Sequence, residues 1–203
     1  MSAKIAVVYY SMTGNLHRMA QAVAEGAESG GTEVRLRHVA ETAPDEVIEG
    51  VDAWAQHRSE VSDQPVAEID DLEWADGFAF GTPTRFGTPT AQLKQLIDQT
   101  GPLWQQGKLA NKAATSFTSS QNHNGGQEST ILGLNNVFYH WGSIIVPPGY
   151  TDEQLYASGG NPYGTSWSAG SGNESPDEAT LTSARIQGER LAKFAAILTE
   201  GLS

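Results

Sequence analysis

The 203-residue chain has no cysteine. This excludes a disulfide framework, thiolate metal ligation and a cysteine nucleophile, so any redox role must come from a bound cofactor. Lysine is also scarce: five of the twelve basic residues are lysine, against 24 acidic residues and a formal net charge of −12. No basic run exists, which argues against a nucleic-acid partner, because binding to nucleic-acid phosphates relies on clustered lysine and arginine. The excess of acid describes a well-solvated surface of the kind that suits a high-salt medium. Long apolar runs are missing too. Met1 and Lys4 lead straight into Ile5-Ala6-Val7-Val8-Tyr9-Tyr10, too short for a signal peptide's apolar region or a membrane span, and a cytoplasmic location without membrane insertion is expected. A Gly-Lys-Ser/Thr phosphate loop and a Gly-x-Gly-x-x-Gly dinucleotide fingerprint are both absent, and each absence removes a nucleotide-binding class.

The residues present describe an ordinary globular chain, 38% hydrophobic, with 22 glycines spread along it and no repeat or low-complexity block. One domain over residues 1–203 is expected. Short apolar runs alternate with helical stripes, the pattern of a doubly wound α/β fold with a five-stranded parallel sheet and helices on both faces. Strands are predicted at Ile5 to Tyr10, Val34 to Val39, Ala75 to Gly81, Ala113 to Ser119 and Ser143 to Val146. Between them, Leu16, Met19, Ala20, Val23, Ala24 and Ala27 fall at helical spacing before Gly30-Gly31. Further helices are predicted at Ala91 to Thr100, Gln127 to Trp141 and Asp177 to Thr199, the last with the stripe Leu181, Ala184, Leu191, Ala195 and Leu198. Two stretches break the alternation, Ala43 to Asp71 and Pro147 to Pro176. The second is too long for an ordinary loop and reads as a functional or assembly insertion.

Ligands of an open parallel sheet bind beyond the carboxyl ends of the strands, so the loops after strands one, three and four should share a site. The first, Ser11-Met12-Thr13-Gly14-Asn15, sets hydroxyl and amide donors around a glycine at a helix N-terminus. It can hold a monophosphate without a lysine; by itself it also describes a well-capped turn. The second, Gly81-Thr82-Pro83-Thr84-Arg85-Phe86-Gly87, combines a stiff backbone with hydroxyls, a cation and an aromatic ring, and can grip a polar heterocycle or simply form a rigid turn. The third, Ser119-Ser120-Gln121-Asn122-His123-Asn124-Gly125-Gly126-Gln127, is dense in donors suited to the pyrimidine end of a flavin.

Together these loops resemble the WrbA-type NAD(P)H:quinone oxidoreductases, FMN enzymes of the flavodoxin-like superfamily. The resemblance rests on Tyr9-Tyr10-Ser11-Met12-Thr13-Gly14, the Gly81 to Gly87 loop, Asp98-Gln99-Thr100-Gly101-x-Leu103-Trp104 and Gly125-Gly126-Gln127-Glu128. It continues through His140-x-Gly142, Val146-Pro147-x-Gly149-Tyr150, Pro162-Tyr163-Gly164 and Ala184-Arg185-x-Gln187-Gly188. It implies that Ser11, Met12, Thr13, Gly14, Asn15 and Leu16 hold the FMN phosphate. Thr82, Pro83, Thr84, Arg85 and Phe86, with Ser120, Gln121, Asn122, His123, Asn124 and Gly125, would hold flavin and ribityl. Phe86, Trp104 and His140 would line the redox pocket, with Thr13 facing the nicotinamide side. By the same resemblance, NADH or NADPH gives a hydride to the flavin and leaves, and a quinone is then reduced to the quinol. Trp104 would stack on a flat substrate, and His140 would contact the cofactor and hydrogen-bond a quinone oxygen or deliver a proton.

For Trp104 and His140 the plain alternatives are a packing residue and a helix-end residue. His17, His38, His57 and His123 show no metal-ligand spacing with carboxylates and read as surface or helix histidines, so no metal is expected. Three departures from the family pattern stand out: Thr13 in place of a common tyrosine, bulkier residues from Ser120 to Asn124, and Thr88-Pro89-Thr90. The insertion resembles that of a tetrameric family, and a homotetramer is expected, with Tyr150, Tyr156, Tyr163 and Trp167 as interface aromatics. A one-electron flavodoxin carrier and a regulatory interaction protein are the rival functions.

Overall fold

The structure is a computed structural model that describes residues 2–202. Its parallel sheet runs in the order β2-β1-β3-β4-β5, from β1 (Lys4–Tyr9), β2 (Glu33–His38), β3 (Gly77–Pro83), β4 (Ala113–Ser120) and β5 (Ile144–Ile145). β1 lies inside the sheet, between β2 and β3, and its residues from Ile5 to Tyr9 are apolar and fully buried, as a strand covered on both faces requires. Its alternation divides the molecule into two cores. Ile5, Val7 and Tyr9 face one, with α1 (Asn15–Ser29) and α8 (Glu178–Leu202); Ala6 and Val8 face the other, with α5 (Ala91–Asp98) and α7 (Gln127–Trp141). Phe78, Phe80, Phe138 and Trp141 form the aromatic centre of this second core, with ring centroids 5.6–6.0 Å apart.

α1 and α8 pack with their backbones in contact. A Cβ on Gly26 would lie 1.9 Å from the Arg185 carbonyl oxygen, and one on Gly188 would lie 2.0 Å from that of Val23. These glycines let the helix carrying the first loop seat against the carboxy-terminal helix, where a methyl group would force the backbones apart. Within the long α8 stripe Ala184, Leu191 and Ala195 are fully buried, while Leu181 and Leu198 are only partly so.

The two irregular stretches are more ordered than their sequence suggests. Ala43 to Asp71 holds α2 (Asp45–Glu49) and α3 (Asp52–Glu60) and opens α4 (Ile69–Trp74). None is long enough to display a helical stripe. α4 is started by a capping box in which Glu68 and Asp71 each bond the other's backbone amide, and buried Asp71 also pairs with Arg35 and Arg37 at 3.0 and 3.2 Å.

The fifth position of the sheet is divided. β5 pairs Ala113–Ala114 at the start of β4, and β6 (Ser166–Ser168) pairs Thr118–Ser120 at its end, both parallel to it. The insertion therefore leaves the sheet after β5, forms a 3-10 turn at Glu153–Ser158 and returns to finish the edge. Ser-Trp-Ser has no apolar run to announce a strand, which is why this half is not evident in sequence. Gly164 makes the return possible: its Cβ would lie 2.1 Å from the Ser116 carbonyl oxygen.

Candidate functional site

The first loop is the N-terminus of α1. Gly14 is its N-cap in a left-handed conformation (φ 96°), with no side-chain cap and no acidic residue in the first turn. The opening amides of a 15-residue helix are thus left to another acceptor, and nothing negative competes for them. Ser11 Oγ accepts from the Gly14 amide at 3.0 Å, while Thr13 Oγ1 and Asn15 Nδ2 each donate at 3.0 Å to the side-chain oxygen of Asn173. Met12 packs against the second core and accepts from Arg85 Nη2 at 3.4 Å, and Leu16 is 1% exposed. These two side chains support the loop, and Leu16 can reach a phosphate only through its backbone amide.

The second loop is a tight reversal. Arg85 and Thr88 exchange backbone hydrogen bonds of 2.8 and 3.0 Å, with Phe86 at φ 52° and Gly87 at φ 79° between them. Two positive φ values define a type I′ turn, a geometry that favours Asn-Gly and penalises a bulky residue in the first position. Phe86 adopts it with its ring wholly exposed, the kind of local cost that collects at functional sites. Thr82 and Pro83 lie below, at the end of β3. Thr82 is fully buried, its hydroxyl donating to the Pro83 carbonyl and accepting from the Thr90 amide, so it shapes the loop and offers no side chain to a ligand. Thr84 joins this loop to the third. Its amide donates to the Ser119 carbonyl, and its hydroxyl accepts from Thr130 Oγ1 and from the Gly87 amide.

The third loop is organised by Gln127, a residue not singled out as a site candidate from sequence. It is 8% exposed; its Oε1 accepts from the Gly125 amide, and its Nε2 donates to the Asn122 and His123 carbonyls and to Ser168 Oγ. Ser120 is mostly buried and donates to the Asn122 carbonyl. Gln121, Asn122, His123 and Asn124 are exposed, so their side chains stand at the rim. Outside this rim a cavity of about 1320 Å³ lies between Gln121 to Asn124 and the insertion, bounded by Tyr150, Tyr163 and Trp167. Tyr150 and Tyr156 stack on each other at 5.2 Å, whereas Trp167 is partly buried against the first core and donates to the Glu174 carbonyl.

Trp104 and His140 are brought together but not to these loops. Trp104, in α6 (Gly101–Gln105), donates from Nε1 to the His140 carbonyl at 2.9 Å. α7 starts beside the second loop, where a Cβ on Gly126 would touch Gly87, and runs to the opposite end of the sheet before ending at Trp141. Fourteen residues of helix separate Gly126 from His140, roughly 21 Å. The expectation that Phe86, Trp104 and His140 line one pocket is therefore corrected for a single copy of the chain.

Of the remaining histidines, His17 and His57 are helix histidines, in α1 and α3, and His38 ends β2. His57 is buried, 4% exposed, and its Nδ1 would lie 3.6 Å from a Cβ on Gly14. The His17 and His57 rings are 5.5 Å apart. The Tyr9 hydroxyl lies between His17 Nδ1 and Gln64 Oε1, and His38 Nε2 meets the Gln64 carbonyl. Burial first, then the neighbouring His57, holds His17 down to about 4, so it is neutral near neutral pH. Burial likewise lowers His57 and raises Tyr9. Among the described residues no group of three or more His, Cys, Asp or Glu side chains could hold a metal ion, and no helix is long and apolar enough to cross a membrane.

The sheet order, the uncapped helix behind a hydroxyl- and amide-bearing loop, and two further loops at the same edge define a flavodoxin-like protein with a site for a phosphorylated flavin. The donor set fits FMN: neutral donors for one phosphate, backbone-rich loops for the ring, and no acid at the phosphate. The chain belongs to the NADPH-dependent FMN reductase family, whose model matches residues 3–154. It is 51% identical over 166 residues to an NAD(P)H dehydrogenase (quinone) of Deinococcus radiodurans, covering 82% of this chain and 83% of that protein. It is 44% identical over 201 residues to the protein of the same name from Geotalea uraniireducens, covering 96% and 98%. Among solved structures it resembles a flavodoxin, WrbA-like protein from Agrobacterium tumefaciens, with a TM-score of 0.66, 27% identity and coverage of 97% and 99%.

Proposed function

We propose that this chain is a cytoplasmic FMN-dependent NAD(P)H:quinone oxidoreductase, a single FMN-binding domain that works as a homotetramer. When bound, FMN would supply the two-electron chemistry that links NADH or NADPH to the reduction of a quinone to its quinol. The protein's part is to bind, orient and shield. Ser11 and Asn15, with the Thr13 backbone and the first amides of α1, would hold the phosphate. Thr84, Arg85 and the loop from Ser120 to Gly125 would bound the ring. Phe86 would cover one edge of the pocket, its ring held outward by the type I′ turn.

The observation that carries the reading is the uncapped N-terminus of α1 beneath a loop of neutral donors. The separation of Trp104 and His140 from that loop supports the assembly. Trp104 is 55% exposed, and Tyr139 and Ile144 are exposed at the same end of the sheet. A second copy presenting this end to the loops of the first would place Trp104 where it stacks on a flat quinone, and His140 where it contacts the flavin and gives a hydrogen bond or proton to a quinone oxygen.

The test is stopped-flow reduction of the FMN-loaded protein by NADH and by NADPH, followed by benzoquinone, with light scattering on the same sample. Fast bleaching of the flavin, reoxidation by quinone and a tetrameric mass are expected. Failure of both donors to bleach the flavin would reject the enzyme reading in favour of an electron carrier, and a stable monomer would reject the shared site.

A further inference from the structure

The segment from Ala169 to Glu174 touches two of the cofactor loops at once. At one end, Ala169 and Gly170 donate from their amides to the Ser120 and Gln121 carbonyls at 2.8 and 2.9 Å. At the other, Asn173 Oδ1 accepts from both Thr13 Oγ1 and Asn15 Nδ2, partners 160 and 158 residues away in the chain. The segment is closed on itself: the Glu174 amide donates to the Ala169 carbonyl at 2.7 Å, and Trp167 Nε1 donates to the Glu174 carbonyl at 2.8 Å. Asn173 sits at φ 51°, a left-handed conformation that asparagine adopts more readily than most residues.

Neutral donors must be aimed before they are useful to a phosphate, because each loose side chain gives up rotamer freedom on binding. Thr13 and Asn15 are two of the three polar side chains of the phosphate loop, and a single shared acceptor restrains both. Thr13 gives its one hydroxyl hydrogen to Asn173 and so braces the loop, while Asn15 keeps a second amide hydrogen and Asn173 keeps its own Nδ2 group as donors for the phosphate.

We infer that Asn173 is a positioning residue for the cofactor phosphate: it orients Thr13 and Asn15, and its segment ties the phosphate loop to the loop that begins at Ser120. The inference rests on the reading that residues 11 to 16 hold the phosphate. It also gives Thr13, which stands where a nicotinamide-facing tyrosine is common, a role within the phosphate loop.

The experiment titrates the whole flavin-stripped chain with FMN and with riboflavin, which lacks the phosphate, by quenching of flavin fluorescence. Asn173→Ala is expected to weaken FMN about tenfold, through loss of the ordering of Asn15 and of the loop that Thr13 braces, and to leave riboflavin within about twofold. Asn173→Asp keeps an acceptor for Thr13 and Asn15 but sets a negative charge beside the phosphate. It should weaken FMN more than alanine does, most at low salt, again sparing riboflavin. In a Thr13→Val, Asn15→Ala background, Asn173→Ala should add less than about twofold, since the groups it acts through are gone. An unchanged FMN affinity in Asn173→Ala, or an equal loss for riboflavin, would overturn the inference while leaving the phosphate loop standing. A wild-type chain that binds FMN no better than riboflavin would reject the phosphate loop itself, and the role of Asn173 with it.

Discussion

The two ends of the parallel sheet are built on different principles. At the carboxyl end, Thr84 bonds the second loop to the third, Asn173 bonds its segment to the first, and Gln127 braces the third from within, so the positions of polar donors are settled within one chain. At the amino end, Trp104, Tyr139 and Ile144 present apolar surface to solvent, and the side chain of Trp104 is tied down by one bond to the His140 carbonyl. A phosphate and a heterocycle edge need fixed dipoles, which one chain can preorganise. A flat aromatic substrate needs two faces to stack between, and a second copy can provide one. Phe86 is the exception that joins the two: an exposed aromatic ring at the polar end, held outward on a strained turn.

The largest effect expected from breaking this contrast comes from the α1–α8 pair, since α1 carries the first loop at its N-terminus. Gly26→Val drives a side chain into the Arg185 carbonyl, where neither backbone can yield. It should cost roughly 3 kcal/mol or more, read as a fall in Tm, with FMN lost as α1 shifts. Next is Trp104→Ala, expected to cut quinone turnover about tenfold with FMN affinity unchanged, since its loss touches one end alone. Mixing it with the Thr13→Val, Asn15→Ala variant under subunit exchange should restore activity, because one mixed site then holds an intact phosphate loop and an intact Trp104. Absence of recovery would separate the two ends functionally.

A smaller effect follows from acid. His17, held to about 4 against an ordinary 6.5, takes up its proton more readily in the unfolded chain. Its contribution to stability is complete above pH 6.5 and drains away as the pH falls toward 4. Discounted for partial exposure, this amounts to roughly 1–2 kcal/mol. His57 acts in the same direction, and His17→Gln should flatten the slope of Tm against pH over that window. The smallest effect is a gain: Phe86→Asn installs the Asn-Gly pair that a type I′ turn prefers and should stabilise by roughly 0.5 kcal/mol while slowing quinone reduction. A loss of stability there would mean that the Phe86 turn carries no strain.

Much of this was readable in the chain. The strand from Ile5 announces itself because burial on two faces needs an unbroken apolar run, the strand from Val34 because its apolar residues alternate with arginines, and the first and last helices because a long helix shows its stripe. The three loops were legible because their donors sit next to one another in sequence. The short helices between Ala43 and Asp71 and the strand at Ser166–Ser168 were not, since elements this short carry no period. Asn173 escaped notice as a site residue for another reason: it acts on partners that only the fold brings near.

The alternation of apolar runs and helical stripes by itself determined the doubly wound class and the burial of β1 on two faces, because such burial leaves few ways to arrange such strands. Tertiary structure alone decided that Trp104 and His140 meet at the far end of the sheet, that Asn173 reaches the phosphate loop across about 160 residues, and that a buried histidine cluster lies beneath Gly14. Those are contacts between distant segments, and their geometry depends on how helices pack and where an insertion rejoins the sheet, which no local pattern encodes.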